Sequence, residues 1–338
     1  MKIIKSNSFL VEEKNPLKKV ELAGRTCYKS ESNITDESAV TFYHKMAKSK
    51  HYAMLEHGTV TFEIKTTTRV FLPTELISLP YIAWSQKKSD LYYVTLSLSH
   101  IEQYKAGNYD YFINTLMEHG EMSDADTTHE ILSTMCMLFD NRYICPSPLD
   151  TGKHEITSYG TIKILNDVTE IKDFNHDDWL THKFITFKFV CDRGVSHELV
   201  RHRCSVAQES TRYCNYSKDK YNNEITFVEP ANYGDWCTVG KLIFEAGCSM
   251  VEKYYMMLSK LGYKAQQSRA LLNNALKTEV ILTMPAGRWK HFFNLRSIGT
   301  TGAPHPDMKV VADIAIKEFN KLENVFLNNE NTMDEGEE

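Results

Sequence analysis

The stretch between Thr59 and Lys65 constrains the fold more than any other part of the sequence, because apolar and polar residues alternate there. This two-residue period is typical of a β-strand with one buried face. Its apolar residues are Val60, Phe62 and Ile64. The same reasoning predicts strands over residues 184–191 and 224–229. Residues 66–182 separate the first two of these strands.

The C-terminal third of the chain has the pattern of helices. Apolar residues recur at helical spacing there, and a shorter helix is predicted near the N-terminus. The predicted helices cover residues 35–50, 239–261, 264–276 and 306–326. Gly262 is placed to end the second of them. The short apolar run 279–284 is predicted to be buried.

Residues 66–182 differ in composition from the rest of the chain, because they combine tyrosine-rich, acidic and loop-like stretches. One or two helices are predicted within 111–139, but no catalytic pattern is evident. We interpret 66–182 as an insertion into a core made of residues 1–65 and 183–327. The acidic, polar end, residues 328–338, has the composition of a disordered tail.

The overall composition excludes several classes of protein. The net charge of −5 does not favour nucleic acid or an anionic membrane as a partner. The eight cysteines are scattered without a C-x-x-C pair, which argues against a disulfide framework and against a metal site. No apolar run is long enough to span a membrane, and residues 1–6 do not resemble the start of a signal peptide. We therefore expect a protein of the reducing cytoplasm.

The most informative stretch, residues 193–213, contains four arginines in a chain that is acidic overall. If it is extended, Arg201 and Arg203 point to one side, and Gln208, Ser210 and Arg212 do so further on. Guanidinium groups are forked donors that match phosphate geometry, and neutral groups such as Gln208 and Ser210 can read the edge of a base or flavin. The alternative is a solvated surface turn whose arginines pair with nearby glutamates.

The residues Arg201-His202-Arg203, followed after a short spacer by Gln208 to Tyr213, resemble the sequence pattern of the flavin-dependent thymidylate synthases. The flanking segments 196–200 and 214–217 are similar to that family too. Six residues separate Arg203 from Ser210, one fewer than is typical of the family.

Other segments share this resemblance. His51 begins a His-x-x-x-x-Glu-His pattern, and segments 269–279, 288–296 and 303–308 are also similar to the family. Judged without the resemblance, a lone histidine such as His51 more often has only a structural role. Arg269 would then be an exposed arginine on a helix. The aromatic residues of 288–296 are predicted to pack in the core, because aromatic side chains on a helix usually face inward.

The resemblance implies an α+β fold of the thymidylate synthase complementing type, carrying a large insertion and assembled as a homotetramer with shared active sites. It implies methylation of dUMP to dTMP, with carbon from 5,10-methylenetetrahydrofolate and hydride from FAD that NADPH reduces. No Pro-Cys-His occurs here, the context in which ordinary thymidylate synthases set their nucleophile.

By the same resemblance, Arg296 stabilises the pyrimidine as its N3 loses a proton, and Ser210 polarises the base. The residues expected to bind dUMP are Glu198, Gln208, Glu209, Ser210, Thr211, Arg212 and Arg269. Those expected to bind FAD are His51, Arg201, His202, Arg203, Gln208 and His291.

Two alternatives remain open at this point. The shorter spacer after Arg203 motivates a homologue that binds FAD and nucleotide without catalysis. The arginine segment could also serve as a phosphate patch of a nucleic-acid-binding module. The acidic charge of the whole chain argues against the second alternative.

Overall fold

The structure is a computed structural model. It describes residues 1–66, 82–108, 125–146, 153–156, 160–165, 167–168 and 171–334. Within these ranges helices and sheets are both extensive, which confirms the α+β class.

The described residues form the following strands and helices, numbered in chain order. The strands are β1 (Lys2–Ile4), β2 (Asn7–Leu10), β3 (Thr59–Thr66), β4 (Ile82–Lys88), β5 (Leu91–Ser97), β6 (Lys153–Ile156), β7 (Gly160–Leu165), β8 (Phe184–Asp192), β9 (Ser205–Gln208), β10 (Thr226–Val228) and β11 (Lys277–Pro285). The helices are α1 (Pro16–Tyr28), α2 (Ser38–Lys48), α3 (Tyr52–Leu55), α4 (Leu98–Lys105), α5 (Ala125–Phe139), α6 (His176–His182), α7 (Arg193–Leu199), α8 (Thr238–Lys260), α9 (Ala265–Ser268), α10 (Ala286–Phe293) and α11 (Pro306–Asp334).

A four-stranded antiparallel sheet forms the centre of the core, in the order β2-β8-β11-β9. The apolar run 279–284 lies in β11, between β8 and β9, which accounts for its burial. A separate parallel pair joins β1 to β10.

A five-stranded antiparallel sheet has the order β4-β5-β3-β7-β6. Its central strand, β3, comes from the predicted core, whereas the other four strands come from residues 66–182. The sequence did not indicate those four. In β5 every residue is buried, so the alternation that reveals a half-buried strand is missing.

Aromatic packing fixes α10 and α11 against one face of the four-stranded sheet. The ring centroids of Phe187 and Trp289 lie 4.8 Å apart, and those of Phe293 and Phe319 lie 5.3 Å apart. The indole Nε1 of Trp289 donates to the carbonyl of Ile185 at 3.0 Å. The aromatic residues of α10 are buried, as predicted, and the helix is held in one orientation on β8.

The predicted strands over 59–65 and 184–191 and the predicted helices over 35–50 and 239–261 are confirmed. The strand predicted over 224–229 is shorter. The helix predicted over 264–276 is wrong beyond residue 268, apart from one 3-10 turn over 269–271. Carbonyls after this turn accept hydrogen bonds from neighbouring elements instead, from Arg193 to Asn274 and from Val228 to Ala275.

The last helix, α11, runs beyond the predicted end at residue 326 and reaches Asp334. Residues 328–334, for which the composition predicts disorder, are therefore helical, and 335–338 lie outside the described residues. Of the helical prediction over 111–139, the part from 125 onward forms α5, and residues 111–124 are likewise outside the described residues. No helix in the described part of the chain is long and apolar enough to cross a membrane.

Candidate active site

The junction between β8 and α7 carries the first part of the site. Asp192 ends β8 and caps α7, because its Oδ1 accepts from the backbone N–H of Val195 at 2.9 Å. The helix is seven residues long, and Glu198 lies in its last turn. Helix α7 is followed directly by a tight turn at residues 200–204.

Arg296 lies in the turn that follows α10 and makes two contacts with this region. Its Nη1 donates to Oε2 of Glu198 at 2.6 Å, and its Nε donates to Nε2 of His202 at 3.1 Å. All three side chains are partly buried. Three residues predicted to be functional therefore meet in one cluster, although they are far apart in sequence.

His202 is held neutral in this cluster. Burial lowers the pKa of its imidazole to about 4, and the charges of Arg296 and His291 add to the lowering. Its ring also packs edge-on against Phe292, with centroids 4.8 Å apart. A neutral imidazole can accept the hydrogen bond from Arg296, whereas a protonated one would repel it.

The structure corrects the extended interpretation of residues 201–212. Arg201 and Arg203 lie in the turn after α7, where both are exposed, and the chain is extended only from Ser205 to Gln208. The carbonyl of Arg203 accepts a hydrogen bond from Arg288 Nη1 at 2.9 Å. This contact ties the turn to α10 and leaves the Arg203 side chain directed to solvent.

The segment after β9 is fixed mainly through its backbone. The N–H of Ser210 donates to the carbonyl of Cys27 at 2.9 Å, and Gln208 Nε2 contacts Thr278 Oγ1 at 3.5 Å. The guanidinium of Arg212 lies over the ring of Tyr213, 5.3 Å from its centroid. The half-buried Ser210 and the exposed Arg212 are thus held side by side at the surface.

Glu209 points the other way, into a cluster of alternating charges that the sequence did not reveal. It is 2% exposed and accepts a hydrogen bond from Lys277 at 2.9 Å. Lys277 also binds Glu279, which in turn binds Lys29 and Lys188. Burial would raise the pKa of Glu279, but the ammonium groups of Lys277 and Lys188 hold it well below its usual range. The predicted buried run began at residue 279. Had it been extended to residue 277 as a strand, Lys277 and Glu279 would have been expected on the same face, which would have indicated this cluster.

The remaining predicted residues are at or near the surface. His51, Arg269 and His291 are exposed, and Thr211 is partly exposed. Arg201, Arg203, Arg212 and Arg269 take no part in the ion pairs found among the described residues. These guanidinium groups are consequently available to an external anion, but no hydrogen bond or ion pair among the described residues joins them to Arg296.

The two cysteines beside the arginine segment, Cys204 and Cys214, are not activated as nucleophiles. All eight cysteines are free thiols. Burial raises the pKa of Cys204 to about 12 and also raises that of Cys214, so both flank the arginine segment as thiols and not as thiolates. Among the described residues there is no group of three or more side chains suited to a metal ion.

Comparison with known proteins identifies the family. The family model described as "Thymidylate synthase complementing protein" matches residues 9–95 and 82–322. The match covers most of the chain, so the protein belongs to the family of thymidylate synthase complementing proteins.

Among individual relatives, the flavin-dependent thymidylate synthase of Geobacter sulfurreducens is 32% identical over 137 residues, covering 39% of this chain and 57% of that protein. The one from Pyrococcus furiosus is 34% identical over 144 residues, covering 39% of this chain and 55% of its own length. The chain thus spans little more than half the length of these relatives.

Solved structures show weaker likeness. The UMP/dUMP methylase PolB from Streptomyces cacaoi, bound with 5-Br UMP, aligns at 21% identity with a TM-score of 0.35, covering 42% of this chain and 70% of that one. Thymidylate Synthase X from Helicobacter pylori, with FAD and dUMP, aligns at 18% identity with a TM-score of 0.33 over the same shares.

Proposed function

We propose that the protein is a flavin-dependent thymidylate synthase that methylates dUMP to dTMP. Membership of the family and the names of its sequence relatives support this assignment. The observation that carries it is the junction of Arg296 with Glu198 and His202. These are residues for which the family resemblance implies functional roles, and folding brings them into contact.

In this proposal Arg296 is oriented to stabilise negative charge on the substrate. A guanidinium has five N–H donors, and two of those of Arg296 are directed at Glu198 and His202. The others remain to stabilise negative charge on a pyrimidine as its N3 loses a proton. Glu198 fixes the orientation of the guanidinium, and Ser210 polarises the base.

The exposed arginines would hold the anionic parts of the ligands. Arg212 and Arg269 would bind the phosphate of dUMP, with Gln208, Ser210 and Thr211 at its base. The buried Glu209 would act by holding this segment against Lys277. The cofactor FAD fits Arg201 and Arg203, because both are cationic, exposed and free of carboxylate partners. His51, His202, Gln208 and His291 would complete its site.

Bound FAD, reduced by NADPH, would supply the hydride, and 5,10-methylenetetrahydrofolate the carbon. Within the chain, the neutral His202 accepts the Arg296 hydrogen bond, so the cluster carries a balanced charge before the nucleotide arrives. We place the enzyme in the cytoplasm.

Assembly as a homotetramer would explain why the arginines are spread over one protomer. One face of α8 exposes Val239, Ile243, Met250, Tyr254 and Met257, of which Ile243 is 68% exposed. An apolar stripe of this kind marks a protein interface. A second copy of the chain packed on it would add its own site residues, as shared active sites require.

The decisive experiment is conversion of dUMP to dTMP with NADPH and 5,10-methylenetetrahydrofolate, with and without added FAD. Flavin-dependent dTMP formation is expected. Binding of FAD and dUMP without any product would instead identify a homologue that has lost catalysis, and salt-sensitive binding of oligonucleotides alone would point to a nucleic-acid module.

A further inference from the structure

A cavity of about 430 Å³ lies where the two larger sheets meet the start of α1. Its walls come from the first residues of β3 and β8, from the segment 10–14 before α1, and from residues of the 66–182 segment. None of the residues assigned above to dUMP or FAD lines it. Cavities of roughly 300–1,000 Å³ hold small organic ligands.

Three lysines line this cavity, and they differ in their partners. Lys14 and Lys183 both lie near Asp167, at 3.9 and 2.9 Å. Lys19 also lines the cavity, but its ammonium makes no hydrogen bond or ion pair with any residue that the structure describes. Its ammonium is therefore a partly buried cation without a directly bound counter-ion, an arrangement that favours binding of an anion.

The other lining residues limit which anion fits. Glu12, Glu13 and Asp167 balance the three lysines in number, so the lining offers a polyanion such as a nucleoside triphosphate no net attraction. The rest of the wall combines apolar side chains, including Val60, Leu165, Phe184 and Leu322, with the threonines Thr59, Thr61 and Thr186. The lining thus suits a molecule with one negative charge and an apolar body.

We propose that this cavity binds a small aliphatic monocarboxylate, with the Lys19 ammonium bound to its carboxylate and the chain packed on the apolar wall. The ligand would touch both the core and the 66–182 segment. This site is separate from the proposed methylation site and does not depend on that function.

The protonation of Lys19 gives the proposal a pH signature. Burial and the Lys183 ammonium lower the pKa of Lys19 to about 8, while Asp167 and Glu13 act in the opposite direction. Burial lowers the pKa of His182, in the same wall, to about 4, so this histidine is neutral under the same conditions. Lys14 and Glu12 are the other charged groups of the lining, and burial raises the pKa of Tyr143. Carboxylate binding should accordingly weaken as the pH rises through 8.

Isothermal titration of the full chain with octanoate tests the proposal, with octanol as the neutral counterpart. Octanoate should bind the wild type at neutral pH and bind Lys19→Met about tenfold more weakly, since a charge-assisted hydrogen bond is lost. The matched variant Lys14→Met, which removes another lysine of the same cavity, should keep the affinity of the wild type. Thermal unfolding checks that both variants fold.

Absence of octanoate binding, or equal binding by Lys19→Met, overturns the proposal, and so does tighter binding of inorganic phosphate. If Lys19→Met does not fold, the wild type alone decides. Octanoate affinity must then fall through pH 8 while octanol affinity stays constant, and a flat octanoate profile refutes the site. Because the readout is binding and not turnover, failure here leaves the proposed methylation untouched.

Discussion

Arg296 and Glu198 are joined by a 2.6 Å contact between Nη1 and Oε2. The two residues come from the turn after α10 and from the end of α7, and both side chains are about one-fifth exposed. The pair therefore fixes the direction of a guanidinium that would otherwise swing freely in solvent. Its consequences for activity can be tested directly.

Replacement of Arg296 by lysine should abolish most activity without unfolding the protein. Lysine keeps the charge but cannot contact Glu198 and His202 in a fork, and loss of an oriented donor costs about 100-fold in rate. The measurement is the rate of dTMP formation in the FAD-supplemented assay. Arg25→Lys is the matched control, because Arg25 also pairs with a glutamate, Glu21, but lies outside the site. A variant Arg296→Lys as active as this control would refute the assignment.

His202 should titrate far below an ordinary histidine. Its pKa is lowered to about 4 by burial first, and then by Arg296 and His291. Arg296→Met removes one of these charges, so the pKa should rise while burial keeps it below 6.5. NMR titration of the histidine side-chain resonances measures both values. A wild-type pKa near 6.5 would show that His202 is not enclosed as described.

His182 should make the protein sensitive to acid. Its folded-state pKa of about 4 lies below the ordinary histidine pKa of 6.5, so the unfolded chain binds the extra proton. Stability is then fully present above 6.5 and is lost as the pH falls from 6.5 to about 4. At 1.36 kcal/mol per unit, the loss is on the order of 3 kcal/mol.

Urea unfolding at several pH values isolates this effect. The variant His182→Gln should show a flatter decline than the wild type over the same range, whereas His197→Gln, which alters an exposed histidine, should decline like the wild type. His57 and His100 are also buried with lowered pKa values, so they add to the loss of stability in acid. The contribution of His182 is therefore the difference between the curves of the variants and the wild type. Parallel curves for His182→Gln and wild type would contradict the prediction.

The charge cluster under residues 208–210 should be important for stability. Glu279→Gln leaves Lys29, Lys188 and Lys277 facing one another without their shared carboxylate. Breaking a buried pair costs about 3–5 kcal/mol. Urea unfolding at neutral pH gives the value. Glu318→Gln removes a surface partner of Lys321 and should cost less than about 1 kcal/mol. Similar losses for the two variants would show that the cluster is not buried in solution.

The apolar face of α8 should control assembly. Ile243→Asp places a charge in the exposed stripe, so the proposed tetramer should dissociate into smaller species in sedimentation velocity experiments. Lys253→Asp, an exposed change on the same helix, should leave the assembly intact. If dissociation occurs, dTMP formation should fall with it, because the site is proposed to be shared. A wild type that sediments as a monomer would remove the basis for this prediction.

The sequence predicted those parts of the fold whose patterns are local. The alternation at Val60, Phe62 and Ile64 gave β3 correctly, because one face of that strand is buried and the other is less so. β5 was missed, since its residues are buried on both faces. The helix predicted over 264–276 failed because the carbonyls of Asn274 and Ala275 accept hydrogen bonds from the start of α7 and from β10, which no local pattern indicates.

For the site, the resemblance indicated Glu198, His202 and Arg296 but not that they touch one another. That contact depends on how α7 and α10 pack on the four-stranded sheet. The inward turn of Glu209 was also not predictable from its neighbours in sequence, because its partner Lys277 belongs to β11. Residue identities were thus accessible from sequence, whereas their pairing required the tertiary structure.

The central position of β3 in its sheet has a consequence for how this chain can be altered. Both neighbours of the strand, β5 and β7, lie within residues 66–182. A variant that lacks residues 66–182 would lose the hydrogen-bonding partners on both edges of β3. It would also expose the side chains that these residues cover. Removal of residues 66–182 would therefore leave β3 with two unpaired edges, which favours aggregation.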